Sequence, residues 1–192
     1  MLKITELTEE RFRTRHIKDK TGKRHRFREP YQGIREVKCI DGGRRFGHYI
    51  VDSIIFRIIL AGLEVLLVEL ILNSDLDYDV AEILMILFSL FGFLFFYFIC
   101  EYLWQKTPGK FLTKCIVIDE YGNKPSVKQL LLRCIIRWVP FEPFSCLGTP
   151  SRGWHDKWSK TFVVPMSEYE TLQRLLIDQE EGARDIDALI LD

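Results

Sequence analysis

From Ile83 to Cys100 the chain runs for eighteen residues without a charge, and Phe, Leu and Ile fall on every face of the helix they would form. At about 1.5 Å rise per residue the run is ~27 Å long, close to the ~30 Å hydrocarbon core of a bilayer. Glu82 and Glu101 bracket it, and Tyr97, Tyr102 and Trp104 gather at one end, where aromatic residues favour the membrane interface. A helix that is apolar all round belongs in a large core or in lipid, and 192 residues leave little core to hold this one. The pattern predicts a transmembrane helix over about residues 80–104.

A second apolar run, Phe46–Leu72, is interrupted by Asp52, Arg57, Glu64 and Glu69. The acidic linker Asn73–Asp79 joins the two runs and is short, so they form an antiparallel hairpin, which satisfies backbone groups inside lipid. Helix positions seven apart differ by about 20° in azimuth. Arg45 and Asp52 therefore share one face, and Arg57 and Glu64 share another. His48, one turn before Asp52, can reach it directly. A carboxylate in hydrocarbon costs roughly 2.5–3.5 kcal/mol on insertion scales. Asp52 therefore needs a donor, and His48, Arg133 and Arg137 are the candidates.

Beyond the hairpin, Thr107-Pro108-Gly109-Lys110 breaks the helix. Lys114–Asp119 and Lys160–Val164 are β-branched runs bounded by turn residues, and they predict a small two-stranded element at the cytoplasmic surface. Between them Ser126 and Gln129 form a capping box before an apolar stretch that carries Arg133 and Arg137 and ends at Pro140 and Pro143. This third segment, about 126–147, reads as an in-plane or re-entrant amphipathic helix, with a full third span as the alternative. The predicted fold class is an α-helical integral membrane protein: a transmembrane hairpin, the third helix and the β element.

A formal net charge of zero hides a strong internal division. Residues 1–45 hold fourteen Lys/Arg against seven Asp/Glu, and the stretch from Met166 onward holds eight acids against two arginines. Basic flanks on both sides of the hairpin, with an acidic linker between, predict both termini in the cytoplasm of a bacterial inner membrane. Met1-Leu2-Lys3 opens into polar sequence rather than an apolar signal region. The chain divides into a basic cytoplasmic arm (1–42), a membrane domain (43–165; spans about 46–72 and 80–104) and an acidic helical tail (166–192). The arm reads as solvated and drawn to anionic lipid. Its few aromatics argue against a nucleic-acid site.

Five cysteines and four histidines show no metal-ligand spacing, so neither metal nor cofactor is expected. No nucleophile–base spacing marks an enzyme either. His155-Asp156 is the one adjacent pair of interest, and a turn hydrogen bond explains it.

Arg45 and Asp52 opening the first span resemble the RDD family of small membrane proteins, named for an arginine and two aspartates. Thr107–Asp119 is similar to that family's TPGK-x-L-x-G-x-x-V-x-D stretch, with Thr113-Lys114 where the family often has a glycine nearby. Lys124–Arg133 and Trp154–Thr161 resemble its closing segment, which makes Asp156 the second aspartate. The resemblance covers roughly residues 43–165 and implies a membrane protein with the triad Arg45, Asp52 and Asp156. His48, Arg57, Glu64, Arg133, Arg137 and His155 are the supporting candidates read from the chain itself. Two functional readings stand: transport of ions or small ligands through the charged first span, or a non-catalytic scaffold. Either requires lipid around it and a homo-oligomer or another membrane protein beside it, because one neighbouring helix cannot cover ionisable residues on two faces.

Overall fold

The computed structural model describes residues 2–18, 24–73, 77–148 and 151–190. Ser74, Asp75 and Leu76 of the acidic linker therefore lie outside the described residues, as do 19–23 of the basic arm and 191–192 of the tail. The chain forms two units, residues 1–37 with 170–192 and residues 38–169.

In the first unit, β1 (Thr8–Lys18) and β2 (Arg24–Ile34) pair antiparallel, from Thr8 opposite Ile34 to Lys18 opposite Arg24. The solvated arm expected here is thus a hairpin. Its side chains are polar on both faces, so no apolar alternation announces it. Cross-strand ion pairs hold it instead: Arg13 and Arg15 both reach Glu29, at 3.4 and 3.3 Å. Ile4, Leu7 and Leu172 are fully buried in this unit.

The second unit is built on two long helices, α1 (Gly42–Leu72) and α2 (Tyr78–Trp104). Asp41 starts α1 by accepting from the Arg44 backbone N–H at 2.9 Å. Gln105, in the left-handed conformation at φ 55°, ends α2. Its side chain and backbone then bridge to Val117. The buried stripe of α1 is Arg45, His48, Asp52, Phe56 and Leu60, at helical spacing: polar in its first half, apolar after. The apolar length of α2 is mostly exposed rather than packed inside the protein. Among the described residues it is the one helix long and apolar enough to cross a bilayer.

After α2 come α3 (Pro108–Leu112), β3 (Cys115–Asp119), α4 (Val127–Ile136), a 3-10 turn (Glu142–Leu147), α5 (Trp154–Trp158), β4 (Thr161–Pro165) and α6 (Met166–Ile190). The expected β element is present: β3 and β4 are antiparallel, with Val117 opposite Val163, and both join Ile40 and Cys115 in a small core. Lys114 and Lys160, which precede the strands, have φ of 53° and 54°. That backbone favours glycine, and each lysine costs roughly 1–2 kcal/mol there. The capping box of α4 forms through Ser126 and Gln129. At ten residues α4 is ~15 Å long, half of what a span requires. The helix of the third segment ends before Pro140, as its prolines predict, and a separate 3-10 turn (Glu142–Leu147) completes the segment. α3 packs on α1 and α4 packs on α2, so both short helices sit over the charged ends of the long ones.

Candidate functional site

Asp156, the second residue that α5 contributes to the interior after His155, is fully buried and bridges two arginines. Arg45 of α1 donates to Asp156 Oδ2, and Arg133 of α4 donates to Oδ1 at 2.6 Å. Arg133 then reaches α2: its Nε donates to Glu101 Oε2 at 2.8 Å and its Nη2 to Oε1 at 3.3 Å. It also donates to Thr161 Oγ1 of β4. Lys110 of α3, at 2.7 Å, and Arg137, at 3.1 Å, complete the shell around Glu101. One arginine thus ties α4 to α2, α5 and β4.

Asp52 is held differently. Its Oδ1 accepts the backbone N–H of Gly109 at 2.7 Å, so the carboxylate of α1 receives the start of α3. None of the expected side-chain donors serves it. His48 faces Thr113 Oγ1, and Arg133 and Arg137 are drawn to Glu101. Each of these three side chains has another partner, and a backbone N–H satisfies the carboxylate without bringing in a further charge. Gly109 makes this approach possible. A Cβ there would sit 2.8 Å from both Cα and O of His48 and 3.2 Å from Asp52 Oδ1. Gly109→Ala is expected to destabilise the protein by about 1–3 kcal/mol, or more, as an overpacked site. Thermal unfolding in detergent would measure it, and an unchanged midpoint would show that α3 does not need this contact.

The electrostatics follow from the same contacts. Burial alone would raise the Asp156 carboxyl, but Arg45 first, then His155 and Arg133, hold it well below the usual carboxylate range. Burial likewise opposes Glu142, yet the hydrogen bond from His155 lowers it. His155 spans both acids, with Nδ1 on Glu142 and Nε2 3.3 Å from Asp156 Oδ1. Buried ion pairs add little net stability over apolar packing, but they fix one geometry because every alternative leaves a charge unpaired.

A cavity of about 40 Å³ lies within this cluster, lined among others by Arg45, His48, Asp52, Tyr97, Arg137 and Glu142. That is room for roughly two or three waters. Arg45 Nε and Nη2 and Arg137 Nε are buried without a hydrogen-bond partner among the described residues, and both side chains line it. Arg137 stacks over the Tyr97 ring at 4.4 Å.

Of the residues singled out in the sequence, Arg45, Asp156, Arg133, Arg137 and His155 come together, and Asp52 and His48 border the same cavity. Arg57 is exposed and Glu64 half-buried further along α1, outside the cluster. Sequence reasoning missed Glu101, Lys110, Glu142 and Thr161. Glu101 looked like a polar end to an apolar run. Lys110 looked like part of a helix-breaking motif, and nothing local shows either one's partner.

A helix with the length and composition of a membrane span has its charged end locked under a small α/β cap. The RDD family model matches residues 41–166, which contain Arg45, Asp52, Asp156 and every partner just described, and the chain belongs to that family. No curated protein and no solved structure matches it.

Proposed function

We propose that the chain is a subunit of a bacterial plasma membrane that crosses it on α2 and also, with its charges covered by protein, on the 31-residue α1, with both termini cytoplasmic, and that it works by assembling with a second membrane chain. One contrast carries this reading. Each member of the family triad has a partner within the chain, while Arg57 stands exposed on α1 among the exposed Ile50, Ile54 and Ile58. An arginine at that depth is costly against lipid. Beside it, a groove of about 580 Å³ is lined by Ser53, Arg57, Ser89, Leu90, Phe93 and Trp138 among others. A second copy, or another membrane protein offering a polar or acidic side chain, covers it. The buried cluster fixes the hairpin's geometry for that docking, and no enzymatic step is involved.

A second reading, conduction of ions or small ligands by the assembly, is favoured by the polar cavity at Asp52. Native mass spectrometry from nanodiscs tests the first. Wild type should be oligomeric, and Arg57→Leu should lose most of the oligomer while melting normally; a monomeric wild type removes this reading. Proteoliposome flux tests the second, with Asp52→Asn as control. Flux absent from wild type, or equal in the variant, leaves assembly alone.

A further inference from the structure

Glu142, Cys146 and His155 place a carboxylate oxygen, a thiol sulfur and an imidazole nitrogen within 4.8 Å of one another, all three side chains buried. We propose that these three hold a zinc-class divalent cation, independently of whether the chain assembles or conducts. The donor set is mixed S, N and O, which suits a borderline metal and excludes calcium or magnesium, whose sites are built from oxygen.

Two further observations favour a ligand over a plain histidine–glutamate hydrogen bond. The first is the space left by Gly153. A Cβ at that position would lie 2.5 Å from Cys146 Sγ and 3.0 Å from both Glu142 Oε1 and His155 Cε1. A side chain at residue 153 would intrude on all three, and glycine leaves the space beside them open. The second is the outer contact of His155. Its Nε2 lies 3.3 Å from Asp156 Oδ1, which orients the ring and leaves Nδ1 directed at the cluster. A carboxylate behind a ligating imidazole is the usual support of a metal-bound histidine.

Binding exchanges bonds in a balanced way. The Cys146 thiol releases its proton to solvent, the His155–Glu142 hydrogen bond opens, the proton leaves Nδ1 so that the neutral imidazole keeps its hydrogen on Nε2 toward Asp156, and the thiolate, Nδ1 and the carboxylate turn to the cation. Glu142, Cys146 and His155 all line the small polar cavity, so a water there can serve as the fourth ligand. The cation would tie the 3-10 turn to α5 and so steady Asp156, the next residue after His155.

The test uses the full chain, purified in detergent and stripped with a chelator, then titrated with Co²⁺ alone. A thiolate–Co²⁺ charge-transfer band should grow to saturation at about one equivalent per chain and fall when Zn²⁺ is added. Cys146→Ser should abolish the band, and Gly153→Ala should weaken binding at least tenfold with all three ligands in place. Cys39→Ser should leave it unchanged. Because Cys146→Ser can fail to fold, zinc-edge X-ray absorption of the wild type provides a second criterion: one sulfur near ~2.3 Å with nitrogen or oxygen near ~2.0–2.2 Å. No band in wild type, a band that survives in folded Cys146→Ser, or a zinc shell without sulfur would each overturn the proposal.

Discussion

Arg133→Ala should lower the unfolding midpoint of the detergent-purified protein by roughly 6–20 °C, from a loss of about 3–5 kcal/mol. The size follows from what the guanidinium touches. It is fully buried, and its donors go to Glu101 twice, to Asp156 and to Thr161. Deleting it leaves two buried carboxylates with fewer cations than before, and truncation opens a cavity as well. Arg133→Lys separates charge from shape. Lysine keeps the charge but is a single point, and it cannot fork across Glu101 while still reaching Asp156. It should recover less than half of the loss. Full recovery by lysine would mean that net charge alone matters and that the fork between α2 and α5 does not.

The helix α2 was legible in the chain because an uncharged eighteen-residue run has few other fates. The β3–β4 pair was legible because its strands are short, β-branched and bounded by turn residues. The N-terminal hairpin was not, because Thr8–Lys18 and Arg24–Ile34 carry charge on both faces, and polarity by itself also describes a solvated arm. In the site, the fold-back that brings Asp156 to Arg45 could be argued from chain order and from the family motif. The partners of Asp52 could not. Helical spacing directs His48 toward it, but spacing describes one helix, and Thr113 on the neighbouring segment takes the imidazole instead. Gly109 reads as a helix breaker, while its structural part is to let α3 come within hydrogen-bond distance of α1. Glu101 is the largest omission. Three cations from positions 110, 133 and 137 meet there, a convergence that exists only once α3 and α4 have packed.

The pair formed by Arg45 and Asp156 should show losses that do not add. Asp156→Ala strands Arg45 and takes from Arg133 one of its two carboxylates, and should cost about 3–5 kcal/mol. Arg45→Ala should cost less, because Asp156 keeps Arg133 at 2.6 Å and His155 at 3.3 Å. Once Asp156 is gone, Arg45 is a buried cation without its carboxylate, so removing it as well should cost little. The double variant should then melt close to Asp156→Ala alone, a coupling of roughly 1–3 kcal/mol. Acid provides a second measurement. The Asp156 carboxyl is held well below its ordinary value of 3.8 in the fold, with Arg45 the foremost cation opposing burial. A depressed carboxyl stabilises the fold fully above the ordinary value and loses that contribution as pH falls through the folded one. The gap in midpoint between wild type and Arg45→Ala should accordingly be widest at neutral pH and shrink below pH 3.8, as Asp156 takes up its proton in both. Additive losses, or a gap that holds constant into acid, would show that the two residues act separately, and α5 would then need some other reason to fold back onto the first helix.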